Sequence, residues 1–222
     1  MTNHPPLTLL EEFLLLALDE RTRQVYPLDP ATLNCATAGA VLMDLTLRNR
    51  IDNDLRDMFT VDPTPTGDEI LDPILQMMSQ APVLAPHPIG FWLRQIAEEG
   101  DVLREKALRR LENRGTFGYP GWGLFWMFGL RRSKATNEQR IQEVRSRLLR
   151  VVHGDEVPSP RGIMLTGLVE SCGLFRFILD EKEAQSSKAR IANISRMDLI
   201  SQAVAKSIAD VGPALVAAPG NE

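Results

Sequence analysis

Twelve of the chain's 25 lysines and arginines fall between residues 101 and 150. Lys106, Arg110 and Arg114 succeed one another at i+4 with Arg109 alongside, beside an apolar stripe of Leu103, Ala107 and Leu111. Arg140, Arg147 and Arg150 share a second helical face, opposite Ile141, Val144 and Leu148. Between the two faces, Phe117, Tyr119, Trp122, Phe125, Trp126 and Phe128 gather six of the thirteen aromatic residues, joined by Leu124 and followed at once by Arg131, Arg132 and Lys134. Trp and Tyr are apolar at one end and can hydrogen-bond at the other, which suits a membrane–water interface. A cation beside an anionic headgroup contributes about 1 kcal/mol there, less in salt. The residues also allow a plainer reading, in which the aromatics pack on the body or between subunits and the basic runs are solvated faces.

Other chemistries find no support in the residues. The glycines at 115, 118, 121, 123 and 129 do not spell GxGxxG, and no GxxxxGK[ST] occurs, so no nucleotide-phosphate cradle is expected. His4, His87 and His153 lie far from one another and from any Cys at ligand spacing, so no metal site is expected. His153 and Asp155 are neighbours, but no GxSxG elbow supplies a nucleophile. The adjacent pairs Glu11-Glu12 and Glu98-Glu99 each split across two helix faces instead of converging on a substrate. The expectation is a non-enzymatic protein without a cofactor. Cys35 and Cys172 are read as buried thiols in a reducing compartment.

The whole chain of 222 residues carries a formal charge of −4, which excludes a protein basic all over, such as a nucleic-acid packager. That total hides a polarity. Residues 101–150 hold twelve cations against five anions, a net of +7, while thirteen cations and 24 anions leave the remainder at −11. Residues 51–100, with nine acids and two arginines, form the most acidic stretch. No leader is read at the N-terminus, because Met1 to Pro6 lacks cations, and no apolar run reaches the roughly 20 residues a spanning helix needs.

The elements that must position these residues are mostly helical. Thr8 with Glu11 reads as a capping box opening a helix that stops near Asp19. A second helix is expected over 31–49 and a short strand pair over 51–61. Further helices are expected from Asp68 to about Gln80, over 89–114 with a division near Gly100, and over 137–152, 161–179 and 184–211, the last interrupted near Asn193. Residues 1–211 read as one domain and 212–222, rich in Gly, Ala and Pro, as a flexible tail.

The run Leu7-Thr8-Leu9-Leu10-Glu11-Glu12-Phe13-Leu14-Leu15-Leu16-Ala17-Leu18-Asp19, followed by Ala38-Gly39-Ala40-Val41-Leu42-Met43-Asp44-Leu45-Thr46-Leu47-Arg48-Asn49-Arg50-Ile51, resembles the two N-terminal signatures of the Golgi phosphoprotein 3 family. The likeness continues through Val102-Leu103-Arg104-Glu105-Lys106 and a Pro-Arg-led helix at Pro160, and the chain is similar to a bacterial-type member. The resemblance implies a mainly α, compact single-domain helical bundle with one protruding β-hairpin, here about 116–133 around the aromatic cluster. It also implies a peripheral membrane adaptor that binds phosphatidylinositol 4-phosphate and holds client membrane proteins by their tails. The sequence departs from the family's lipid pocket: its Trp and Arg fall near Leu28-Asp29 and at Ala38, and of its two spaced arginines the first aligns with Asp101 and the second is Arg104.

Together these readings place headgroup contact on Arg104, Lys106, Arg109, Arg110, Arg131, Arg132 and Lys134. Membrane insertion or an oligomer contact falls to Trp122, Leu124, Phe125, Trp126 and Phe128. The expected partners are an anionic phospholipid membrane, met at its cytoplasmic face, client tails and further copies of the chain, but no nucleic acid. The alternative is an oligomeric scaffold whose hairpin packs between subunits.

Overall fold

A run of Leu and Ala with apolar residues on every side of a helix must be covered on every side. Residues 30–47 have that character, and in the computed structural model they form the central helix. The structure describes residues 6–19, 25–80, 87–115, 138–154 and 157–216. In chain order the elements are α1 (Leu9–Leu16), α2 (Pro30–Leu47), β1 (Ile51–Asn53), β2 (Asp57–Thr60), α3 (Leu71–Gln80), β3 (His87–Pro88), α4 (Ile89–Ala97), α5 (Gly100–Asn113), α6 (Glu138–His153), α7 (Pro160–Ser171), α8 (Phe175–Ile178), α9 (Glu181–Ser195) and α10 (Leu199–Val216). The fold is mainly α, as the sequence implied.

Helix α2 is wrapped by α1, α4, α5, α7 and α10. Ala36, Ala38, Ala40, Val41, Leu42, Met43 and Leu45 are completely buried. Gly39 sets one of these approaches, since a Cβ there would lie 2.5 Å from Cγ2 of Val204 on α10. Asp29 caps the helix by accepting from the Thr32 amide at 2.9 Å, and Pro30 takes the first turn, where a missing N–H is harmless.

The described sheet lies at 51–60 and 87–88, in the antiparallel order β1-β2-β3, with Ile51 opposite Thr60 and Met58 opposite His87. The strand pair expected over 51–61 is therefore present. Asp54 shapes its turn by accepting from the amides of Arg56 and Asp57 at 2.7 and 2.8 Å. Trp92 on α4 ties the sheet to the bundle by donating to the Met58 carbonyl at 3.3 Å. The hairpin expected around 116–133 lies outside the described residues.

Two expected boundaries move. The helix read over 161–179 is broken into α7 and α8 at Gly173, whose φ of +63° is a left-handed turn that no β-branched residue would adopt readily. Helix α10 runs on to Val216, past the boundary expected at 211. No described helix is long and apolar enough to cross a membrane.

Candidate functional site

The site begins at the buried start of α1. A buried helix N-terminus leaves amides that need acceptors. Thr8 accepts from the Glu11 amide at 3.2 Å, Glu11 Oε2 accepts from the Thr8 amide at 2.7 Å, and Asp44 Oδ2 on α2 accepts from the Leu9 amide at 2.7 Å. The capping box is thus present, with its carboxylate fully buried. Glu12 and Asp44 are buried beside it. Carboxylates taken out of water need counter-charges, and arginines from three later helices supply them.

Glu11 and Glu12 face different partners. Arg110 of α5 donates from Nε to Glu11 at 2.9 Å, from a terminal nitrogen to Asp68 at 2.8 Å, and to Thr8 Oγ1 at 3.3 Å. Arg114 stands 3.5 Å from the same Glu11. Burial alone would lower the Arg110 pKa, but Glu11 and then Asp68 outweigh it and raise it. On the other side, Arg147 of α6 pairs with Glu12 Oε1. Arg161 of α7 donates from Nε to Glu12 Oε2 at 3.1 Å and to the Leu7 carbonyl at 2.6 Å, with Asp44 3.7 Å away. Burial pushes the Asp44 carboxyl up to about 7, with Arg161 and the Leu9 amide opposing.

The residues expected to hold a headgroup therefore separate. Arg104 is 5% exposed, and its guanidinium is occupied by Asn34 at 2.7 Å, Thr37 at 3.1 Å and Asp101. Burial pulls its pKa down while Asp101 opposes. Arg104 thus joins the start of α5 to α2 at Asn34 and Thr37, the latter next to Ala38. Arg110 likewise faces inward. Of the α5 cations named for headgroup contact, Lys106 is half-buried and Arg109 is exposed, with Arg109 paired to Glu105 at 2.5 Å one turn back. Arg131, Arg132, Lys134, Trp122, Leu124, Phe125, Trp126 and Phe128 lie outside the described residues.

The residues bring together a cluster that the sequence alone did not assign. Arg147, Arg150 and Arg161 line a cleft of about 760 Å³ between α6 and the first turn of α7, with Leu148, Val151 and Leu165 on its walls. A second cleft of about 740 Å³ shares Glu12 and those three arginines and adds Arg140 and Glu143. Ile141, Val144, Leu148 and Val152 bury the opposite face of α6, leaving the arginines along the rim. The available signal was the spacing 140, 147, 150 on one helix face. What was missing was Arg161, distant in sequence and brought in by Glu12.

Cys35 and Cys172 are buried free thiols, and burial raises both, Cys35 to about 11. Among the described residues no three His, Cys, Asp or Glu side chains form a group that could hold a metal ion.

No curated protein matches the chain. A family model for Golgi phosphoprotein 3 matches residues 9–211, from the first residue of α1 into α10, and therefore takes in Glu11 and Glu12, the Arg104 network and the four cleft arginines. On that match the chain belongs to the Golgi phosphoprotein 3 family.

Proposed function

We propose that this protein is a non-enzymatic peripheral membrane adaptor that meets anionic phospholipid through the basic segment 101–150. The observation that carries the reading is the segregation of charge, +7 over that segment and −11 elsewhere, in a chain of this family. Lys106, Arg109, Arg131, Arg132 and Lys134 are the headgroup contacts, and Trp122, Leu124, Phe125, Trp126 and Phe128 enter the interface. Arg104 and Arg110 act one layer behind, holding α5 against α2 and α1. Because the guanidinium of Arg104 is already bound by Asn34, Thr37 and Asp101, the contact is with anionic lipid in general, not with phosphatidylinositol 4-phosphate alone. The membrane is met at its cytoplasmic face, where anionic lipid is concentrated, and client tails are held there. Nucleic acid is not a partner.

Co-sedimentation with vesicles tests this. Binding to phosphatidylcholine vesicles doped with phosphatidylserine, lost at high salt and absent with phosphatidylcholine alone, is the expected result. Equal failure on both compositions overturns it.

One observation favours a scaffold as the second reading. At the β1–β2 hairpin Leu55, Phe59 and Val61 are 90%, 41% and 50% exposed, beside exposed Asp52 and Asp54. An acidic, partly apolar edge of this kind complements a basic, aromatic one on a second copy. Light scattering separates the readings: loss of assembly in Trp126→Asp supports the scaffold, and unchanged mass with lost vesicle binding supports the membrane wedge.

A further inference from the structure

None of Lys106, Arg109, Arg131, Arg132 and Lys134, named above as headgroup contacts, is among the described residues that line the clefts beside α6. We propose that these clefts form a phosphate-binding site, with Arg147 and Arg150 as its ligands and Glu12 as the positioning residue.

Free donors make the first argument. The side chain of exposed Arg150 has no hydrogen bond or ion pair among the described residues, and neither has that of half-buried Arg140. Arg147 commits one terminal nitrogen to Glu12 and keeps its Nε and other terminal nitrogen for a ligand, its side chain 49% exposed. Arg161 is different, because Glu12, Leu7 and Asp44 take up its nitrogens. Its part is to hold Glu12, and through it Arg147, so that one guanidinium at the rim is already oriented before a ligand arrives. Orienting a donor in advance removes part of the entropy lost on binding.

Charge and shape select the ligand. Among the described residues that line the two clefts, four arginines face two carboxylates, Glu12 and Glu143, a surplus of two positive charges. A phosphate monoester carries about −1.5 to −2 at neutral pH and matches it. The described lining contains arginine and no lysine, and the planar guanidinium fork fits phosphate oxygens two at a time. Leu148 and Leu165, both buried, form an apolar wall behind the arginines, which lowers the local dielectric and strengthens each contact. The first turn of α7, capped by Ser159 at Gly162 N (3.2 Å), faces the same cleft and adds the positive end of its helix dipole. The phosphate group is common to a lipid headgroup and to a soluble phosphate ester.

The experiment is a thermal-shift titration of the full chain with sodium phosphate, against sodium chloride at matched ionic strength. Wild type is expected to gain stability in phosphate beyond its gain in chloride. Arg150→Gln, which breaks no hydrogen bond or ion pair among the described residues, is expected to need about tenfold more phosphate for the same shift, as loss of a charge-assisted pair implies. Arg147→Lys, which keeps the charge and loses the fork, is expected to fall between. A wild-type response equal to that in chloride, or an Arg150→Gln midpoint equal to wild type, overturns the proposal. A second arm uses vesicles of phosphatidylcholine with and without phosphatidic acid: weaker binding by Arg150→Gln assigns the phosphate to lipid, and unchanged binding assigns it to a soluble ester. If wild type ignores anionic vesicles yet responds to phosphate, the membrane reading fails and this site stands.

Discussion

Glu11 and Glu12 are consecutive residues with separate partners, and each makes a measurable prediction. Glu11 is fully buried between Arg110 and Arg114, whose side chains are 17% and 9% exposed. Glu11→Gln removes the buried carboxylate that Arg110 and Arg114 share, and is expected to cost about 3 kcal/mol in urea unfolding. Glu12→Gln releases arginines that already reach water, so its cost is expected to be smaller, about 1 kcal/mol. Asp44 adds a pH dependence. Its carboxyl titrates near 3.8 when unfolded and about 7 when folded. The folded state therefore holds a proton that the unfolded state has lost over that window, and stability from this group falls as pH rises from about 4 to 7. Asp44→Asn can still accept from the Leu9 amide and is expected to flatten that slope, which urea midpoints at pH 5 and pH 8 would reveal. An unchanged slope would mean that another group carries the pH dependence.

Among the elements, α2 is the most constrained. Gly39→Leu would drive a side chain into Val204 of α10, and is expected to cost about 3 kcal/mol or to abolish folding, since α2 is enclosed and cannot shift outward. Much of this layer was legible in advance. The Thr8 capping box, the strand pair after Arg50, the division at Gly100 and the apolar stripes of α5 and α6 all rest on local spacing, and local spacing is what a sequence displays. The break at Gly173 was missed because the apolar pattern runs straight through it and only the positive φ marks the turn. The site was legible only in part. Basic residues announce themselves, but whether an arginine faces water or a buried carboxylate depends on partners far along the chain. Arg104 and Arg109 look alike in sequence; one meets Asn34 and Thr37 on α2, the other solvent and Glu105. Asn34 and Thr37, which hold Arg104 inward, carried no signal as a pattern, and Glu11 and Glu12 announced a helix start but not their arginine partners.

At the scale of the whole molecule, unequal charge makes orientation a prediction. A chain whose remainder carries −11 is repelled by an anionic surface on every face but the basic one. Replacing Lys106 and Arg109 with Glu is expected to weaken binding to phosphatidylserine vesicles at least tenfold, and to flatten its salt dependence, without altering thermal stability, because neither residue holds the bundle together.

The two pairs at the start of α1 have one more consequence. Helix α5 is fastened to Glu11 through Arg110 and Arg114, and α6 is fastened to Glu12 through Arg147. The helices on either side of residues 116–137 are thus joined to each other through adjacent residues of a third helix, by a route that does not pass through that stretch. Its two attachment points are kept by the frame. Residues 116–137 can accordingly be exchanged without removing those ion pairs. Exchanging them for a glycine-serine segment of equal length is expected to leave the melting temperature near wild type while removing whatever the aromatics do. The same frame could carry a different insert, and with it a different attachment, on an unchanged body.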